Sequence, residues 1–401
     1  MADGQSSIPD EAAPETVKIT ADSTEWRLLV AQWAYGFFHP FHDPQTARII
    51  GKTLRPKTIE LWCVADFSSY LSKRGLSGNA TELIRILGAM ERAGLLMAAG
   101  WHPRLPLMGQ QYVSQGFDSP QREGNLWLSE VLGAEIIIPS YNAVTVLIAG
   151  TDAEGNPGEH WGTGLIIDEN HIITNRHVVM GLTSAGGDIE VHLATVPAGA
   201  PMTSQPVQMR AHQTLDVAVI ETHLPDNTPV FPRLPGMVFR EPRWADEVFV
   251  FGYPRVPMTA EMAISVQRGQ VVNVTRSTEY AVQRGEVVNP ETETIPNRHK
   301  MFLFSAITRP GNSGGPIVAG DGRVIGLVVE DSAEAISTDS GPESPPFYRG
   351  IPSGEVIRAL DDMGFGGIIK TEREPKELEI RAAPEDPCQE TEDDPPPAEH
   401  Q

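Results

Sequence analysis

A serine set among glycines, in Gly311-Asn312-Ser313-Gly314-Gly315-Pro316, is placed to act as a nucleophile. Small neighbours let the backbone turn sharply. Two N–H groups can then converge where negative charge grows on a carbonyl oxygen during acyl transfer. A hydroxyl cannot attack a peptide carbonyl at neutral pH until a base takes its proton. Histidine is suited to that task, and a carboxylate beside it fixes the tautomer and stabilises the imidazolium. The chain supplies both upstream: His177 after the apolar run Ile172-Ile173-Thr174-Asn175-Arg176, and Asp216 within Leu215-Asp216-Val217-Ala218-Val219-Ile220. The histidine is read as closing a strand, the aspartate as lying in a β-branched run and the serine as sitting in a glycine turn. Each alone has an ordinary reading: a polar strand end, an edge residue, a loop. Together, in the order His, Asp, Ser, they point to a catalytic triad for acyl-enzyme chemistry.

The elements that must position these residues are mostly strands. From about Glu135 to Val329, short β-branched runs alternate with Gly, Pro, Asn and Asp, the pattern of an all-β barrel. A short helix over Ile357 to Met363 is expected to close the domain, which spans 135–369.

Residues 23–110 read differently, as a small helical domain. Glu25 to Phe38 has helical apolar spacing through Trp26, Leu29, Val30 and Trp33. Asp43-Pro44 predicts an N-cap followed by proline at the first helical position. A helical pattern runs from Thr58 to Leu71, and Asn79-Ala80-Thr81-Glu82 reads as a capping box opening a helix that ends near Gly94. Leu95 to Trp101 suits a strand. Two readings follow: a winged-helix domain, or a helical adaptor that binds a protein partner. The adaptor is preferred. The segment is mildly basic, but the 81–94 helix balances Arg85 and Arg92 against Glu82 and Glu91, whereas DNA binding would call for a basic cluster on one helix. Residues 111–134 are expected to be a linker, and 1–22 and the acidic, Pro-rich 370–401 to be disordered.

Seven segments carry a family resemblance: GTGLII (162–167), ITNRHVV (173–179), LDVAVIE (215–221), FGYP (251–254), RPGNSGGPIV (309–318), GRVIGLVV (322–329) and RGIPSGEVI (349–357). As a set they resemble the trypsin-like serine peptidases, and within them the HtrA-like branch. The resemblance implies a chymotrypsin-like double β-barrel with the site between the barrels. It makes His177 the base, Asp216 its orienter, Ser313 the nucleophile, and the N–H groups of Gly311 and Ser313 the oxyanion hole. It places Ile307, six residues before the nucleophile, at the floor of the primary specificity pocket, and Val329 with Glu330 and Asp331 at the opposite wall. An isoleucine floor suits a small or medium aliphatic side chain, since burying a cation against it is costly. Three departures stand out: the stretch after Ile369 is too short for the PDZ domain such proteins carry, no export signal is visible, and Arg176 is unusual beside the catalytic histidine.

Composition narrows the remainder. A net charge of -22 argues against nucleic-acid binding by the whole protein. The two cysteines, Cys63 and Cys388, both lie outside the strand-rich region, which suggests a reducing compartment. The acidic start is not a signal peptide and no apolar run is long enough to span a bilayer, so a cytoplasmic location without membrane contact is expected. His39 and His42 lack a third ligand nearby, and no His-Glu-x-x-His or Cys-x-x-Cys occurs, so neither metal nor cofactor is called for. The reading is a serine endopeptidase acting on proteins or peptides and targeted by its N-terminal domain. The alternatives are a winged-helix DNA-binding regulator that cleaves itself, and a peptidase-fold scaffold with little turnover.

Overall fold

The computed structural model describes residues 19–55, 58–116, 118–151, 157–184, 189–194, 206–222, 231–255, 263–274, 282–283, 286–287, 300–329 and 347–372. The expected disordered ends and Cys388 lie outside these residues, apart from a few at each boundary.

Helix α1 (Thr24–Phe37) begins where the Ser23 side chain accepts the Trp26 N–H at 3.2 Å. It buries Trp26, Val30, Ala34 and Phe37 along one stripe, as three-to-four spacing requires. Helix α2 (Pro44–Ile50) starts as the sequence predicts, with Asp43 accepting the Thr46 N–H at 2.8 Å, and stops at Gly51 (φ 77°). The helical reading of 58–71 holds only from Val64. Trp62–Cys63 is instead a short strand, β1, ahead of α3 (Val64–Lys73). Both residues are buried and pair with Tyr112 and Gln111, and that long-range pairing overrides the helical period.

Helix α4 (Ala80–Arg92) realises half of its capping box. Asn79 accepts the Thr81 N–H at 2.9 Å. Glu82, however, turns its carboxylate to Arg85 (2.6 Å) and Arg27 (2.8 Å), and the Asn79 N–H donates to Asp22 at 3.2 Å instead. Strands β2 (Leu96–Trp101) and β3 (Gln110–Ser114) follow as a hairpin, in a sheet ordered β1-β3-β2. All of strand β3 but Gln110 falls in the expected 111–134 linker. The N-terminal region is therefore not purely helical: its helices pack with a three-stranded sheet of one short strand and a hairpin.

Past two 3₁₀ turns, the chain forms α5 (Ser129–Leu132) and α6 (Ala134–Asn142). Strands expected from Glu135 begin only at Thr145. The isoleucine-rich run suited either state. Here Ile136, Ile137 and Tyr141 are buried on a helix, and the Tyr141 hydroxyl donates to the Gly322 carbonyl at 2.8 Å. That bond, with Gln121 donating to the Asp321 carbonyl at 3.0 Å, ties this segment to the strand-rich region.

The strand-rich region has two parts. The first is a six-stranded sheet of β4 (Thr145–Thr151), β5 (Pro157–Ile166), β6 (His171–Thr174), β7 (Ile189–Leu193), β8 (Pro206–Ala211) and β9 (Ala218–Thr222), ordered β7-β4-β5-β6-β9-β8, with α7 (Arg176–Ser184) after β6. The second is a closed barrel. Its strands are β10 (Glu247–Gly252) and β11 (Ser265–Asn273), then, after the two-residue pair β12 (Val282–Gln283) and β13 (Glu286–Val287), β14 (Phe302–Phe304), β15 (Pro316–Ala319), β16 (Val324–Val329) and β17 (Tyr348–Pro352). Pairing of β10 with β15 closes it around Val248, Val250, Phe302, Phe304, Ile317 and Val328. Helix α8 (Ser353–Asp362) starts four residues before the expected Ile357 and packs on β16 and β17. The architecture is mainly β and chymotrypsin-like, as the sequence resemblance implied.

Candidate active site

His177 lies in the first turn of α7, not at a strand end, and Asp216 lies in the turn just before β9, not inside the strand. The structure brings the two together. The His177 Nδ1 is 2.7 Å from Asp216 Oδ2, and the His177 backbone N–H donates to Asp216 Oδ1 at 2.9 Å. An ionised carboxylate only accepts, so Nδ1 carries the ring hydrogen. In the neutral imidazole Nε2 then holds the lone pair a general base needs. The backbone contact fixes the carboxylate as well as the ring. Buried Asn175 adds a third tie, donating through Nδ2 to the Asp216 carbonyl at 2.8 Å. Arg176, the unusual neighbour, donates to the Gln213 carbonyl and so joins the histidine helix to the aspartate turn.

Ser313 sits in the tight loop ahead of β15 and is 2% exposed. The loop is built by its own bonds, Asn312 N–H to the Arg309 carbonyl (3.0 Å) and Gly315 N–H to the Asn312 carbonyl (2.9 Å), and is anchored on β16 by Gly314 N–H to the Val328 carbonyl (3.0 Å). It docks against the first sheet through Thr163: the Thr163 N–H donates to the Ser313 carbonyl at 2.8 Å and its hydroxyl to the Gly311 carbonyl at 2.7 Å. The same hydroxyl accepts the Tyr253 N–H at 3.1 Å. One threonine thus holds the loop and the chain leaving β10. Burial pushes the phenol of Tyr253 up, so it stays protonated and donates to the Thr145 carbonyl at 3.3 Å.

Two glycines carry the loop. Gly311 has φ 98°, and a Cβ there would lie 2.3 Å from the Tyr253 carbonyl and 2.5 Å from Trp161 Nε1. The Arg255 N–H donates to the Pro310 carbonyl at 3.2 Å. A trans peptide sets C=O and N–H in opposite directions, so the Gly311 N–H points away from Arg255. Gly314 has φ 81°, and a Cβ there would lie 2.3 Å from both the Thr163 carbonyl and Thr174 Oγ1, and 2.9 Å from the Asn175 N. The serine loop therefore abuts the residues that lead into His177. Gly314→Ala combines strained backbone with overpacking against fixed groups. It should cost about 2–4 kcal/mol of stability and most of the turnover. Thermal melts and peptide assays on the purified variant check both.

Ile307 is half exposed, at 53%, whereas Val329 is buried, cross-strand from Arg349. Glu330 and Asp331 fall outside the described residues. The histidines considered for metal are engaged elsewhere: His42 stacks on Trp62 with centroids 3.5 Å apart and its Nε2 lies 2.6 Å from the Glu60 carbonyl, while His39 Nδ1 lies 3.1 Å from the Phe41 carbonyl. Thr163, Asn175 and Tyr253 have site roles that the sequence did not assign, although each lies in a motif that carries the resemblance.

Residues 162–327 match the trypsin-like peptidase domain family. Over 227 residues the chain is 25% identical to a putative mitochondrial Do-like 12 protease of Arabidopsis thaliana, covering 56% of this chain and 40% of that protein. Over 214 residues it is 29% identical to the Do-like 3 protein of the same plant, covering 53% and 33%. The matched region thus spans less than half the length of either relative. Among solved structures, the active form of the Rv3671c protease of M. tuberculosis aligns with TM-score 0.41 at 19% identity, covering 59% of this chain and 88% of that one. An HtrA-type protease, AlgW with a tripeptide, aligns at 0.38 and 20%, covering 57% and 63%.

Proposed function

The chain carries a trypsin-like peptidase domain at residues 162–327, and from that premise we propose that it is a serine endopeptidase working through an acyl-enzyme intermediate. Ser313 Oγ attacks the scissile carbonyl while His177 Nε2 takes its proton. The imidazolium, stabilised by Asp216, then protonates the leaving amine, and water repeats the sequence to release the acyl group. The N–H groups of Gly311 and Ser313 are the donors assigned to the developing oxyanion. The observation that carries this reading is the two-point grip of Asp216 on His177, set against a glycine-flanked serine loop.

The N-terminal domain is assigned a targeting role toward a protein partner. Its α4 does not present a basic face: the exposed Arg85 and Arg92 are matched by Glu82 and Glu91 on the same helix, and Arg85 pairs with Glu82 at 2.6 Å. That charge balance supports a protein partner over DNA.

The substrate class is polypeptide, with a small or medium aliphatic residue before the cut. Half-exposed Ile307 offers an apolar surface and no carboxylate for a cation. Profiling cleavage sites in a peptide mixture tests both the activity and the pocket. Cuts after Val, Ile, Ala or Leu are expected; dominant cutting after Lys or Arg contradicts the pocket, and no cutting that depends on Ser313 contradicts the activity.

A further inference from the structure

A second histidine lies beneath the catalytic aspartate. His212 is 9% exposed, and its Nδ1 accepts two backbone N–H groups of the Asp216 turn, from Leu215 at 2.9 Å and Thr214 at 3.2 Å. The His212 backbone N–H donates to the Val217 carbonyl at 2.9 Å, closing the turn around Asp216. Backbone N–H groups can only donate, so Nδ1 must present a lone pair and the ring hydrogen sits on Nε2. Nε2 lies 3.2 Å from Asp362 Oδ2, at the end of α8. This pair therefore has the opposite tautomer to His177, and its work is structural.

The contact crosses between the two halves of the catalytic region. Helix α8 packs on strands of the closed barrel, which carries Ser313, while the 212–217 turn belongs to the first sheet, which carries Asp216. Beside it, Arg210 of β8 donates to the Met363 carbonyl at 3.2 Å and stacks over Phe365 at 5.0 Å. The chain at the end of the closed barrel is thus fastened at two adjacent points, to β8 and to the turn of the aspartate that follows it.

Resting on the serine-peptidase reading, we propose that His212 is a positioning residue, which through its Nδ1 shapes the turn that aims Asp216 at His177 and through Asp362 keys that turn to the Ser313-bearing barrel. An error on the order of 1 Å in such a constellation costs roughly 100-fold in rate. His212→Ala removes the acceptor of both turn N–H groups. His212→Asn restores a short side-chain oxygen that can accept from backbone two and three residues on, as in an Asx turn.

The test uses the full-length chain. His212→Ala should lower kcat roughly 10- to 100-fold with KM nearly unchanged, and should weaken the downfield proton resonance of the His177 Nδ1–H bonded to Asp216. His212→Asn should recover most of both. Wild-type kcat and an intact resonance in His212→Ala overturn the proposal, as do Ala and Asn variants equally impaired with the resonance intact. If His212→Ala fails to fold, a folded His212→Asn that keeps the resonance supports the proposal and one that lacks it overturns the proposal. Because the resonance needs no turnover, a wild-type chain without peptidase activity would sink the enzymatic reading while the role of His212 is still decided.

Discussion

Ser313→Ala should remove peptide hydrolysis almost entirely, by about 10⁴- to 10⁶-fold in kcat, because the members of a triad act as a unit. The fold should be untouched. Ser313 holds its loop through main-chain contacts, its carbonyl accepting from Thr163, and alanine preserves those. Neighbouring Gly311 and Gly314, not the serine, supply the unusual backbone angles. A fluorogenic peptide assay of wild type and variant, paired with matching thermal melts, checks the expectation. Equal residual turnover would move the nucleophile to another residue.

Asp216→Asn should cost about 10⁴-fold for a different reason. Both carboxylate oxygens are in use: Oδ1 accepts the His177 backbone N–H and Oδ2 faces Nδ1. Asparagine has only one oxygen. If that oxygen keeps the backbone contact, its amide NH₂ faces Nδ1 and drives the ring hydrogen to Nε2, removing the lone pair that should accept the serine proton. The wild-type rate should rise with pH and level off once the imidazole is neutral, since losing the ring proton creates the base. Profiles of kcat/KM against pH for both chains are the measurement. A wild-type rate indifferent to pH across the imidazole range, or an undiminished Asn variant, would contradict a histidine base oriented by Asp216.

The chemistry was more legible in the sequence than the supporting structure. His177, Asp216 and Ser313 stand in short motifs whose residue types admit few uses, so type and order were enough to nominate them. Helix starts at Asp43 and Asn79 were legible because a cap is a local event. What escaped was decided at a distance. Trp62–Cys63 becomes a strand only because Tyr112 and Gln111, fifty residues on, complete the sheet. The Ile136–Ile138 run has no period that separates a strand from a buried helix, and the docking of Tyr141 on Gly322 settles it. Thr163, Asn175 and His212 tie the site to residues 148, 41 and 150 positions away, and such residues have no local mark of their role.

The central claim is that Ser313 is a nucleophile activated by His177. Treating the full-length chain with a serine-directed fluorophosphonate and locating the adduct by mass spectrometry tests it most directly. One adduct on Ser313, absent in Ser313→Ala and strongly slowed in His177→Ala, is the predicted result. An adduct on another residue, or labelling of Ser313 at the same rate with and without His177, would contradict it.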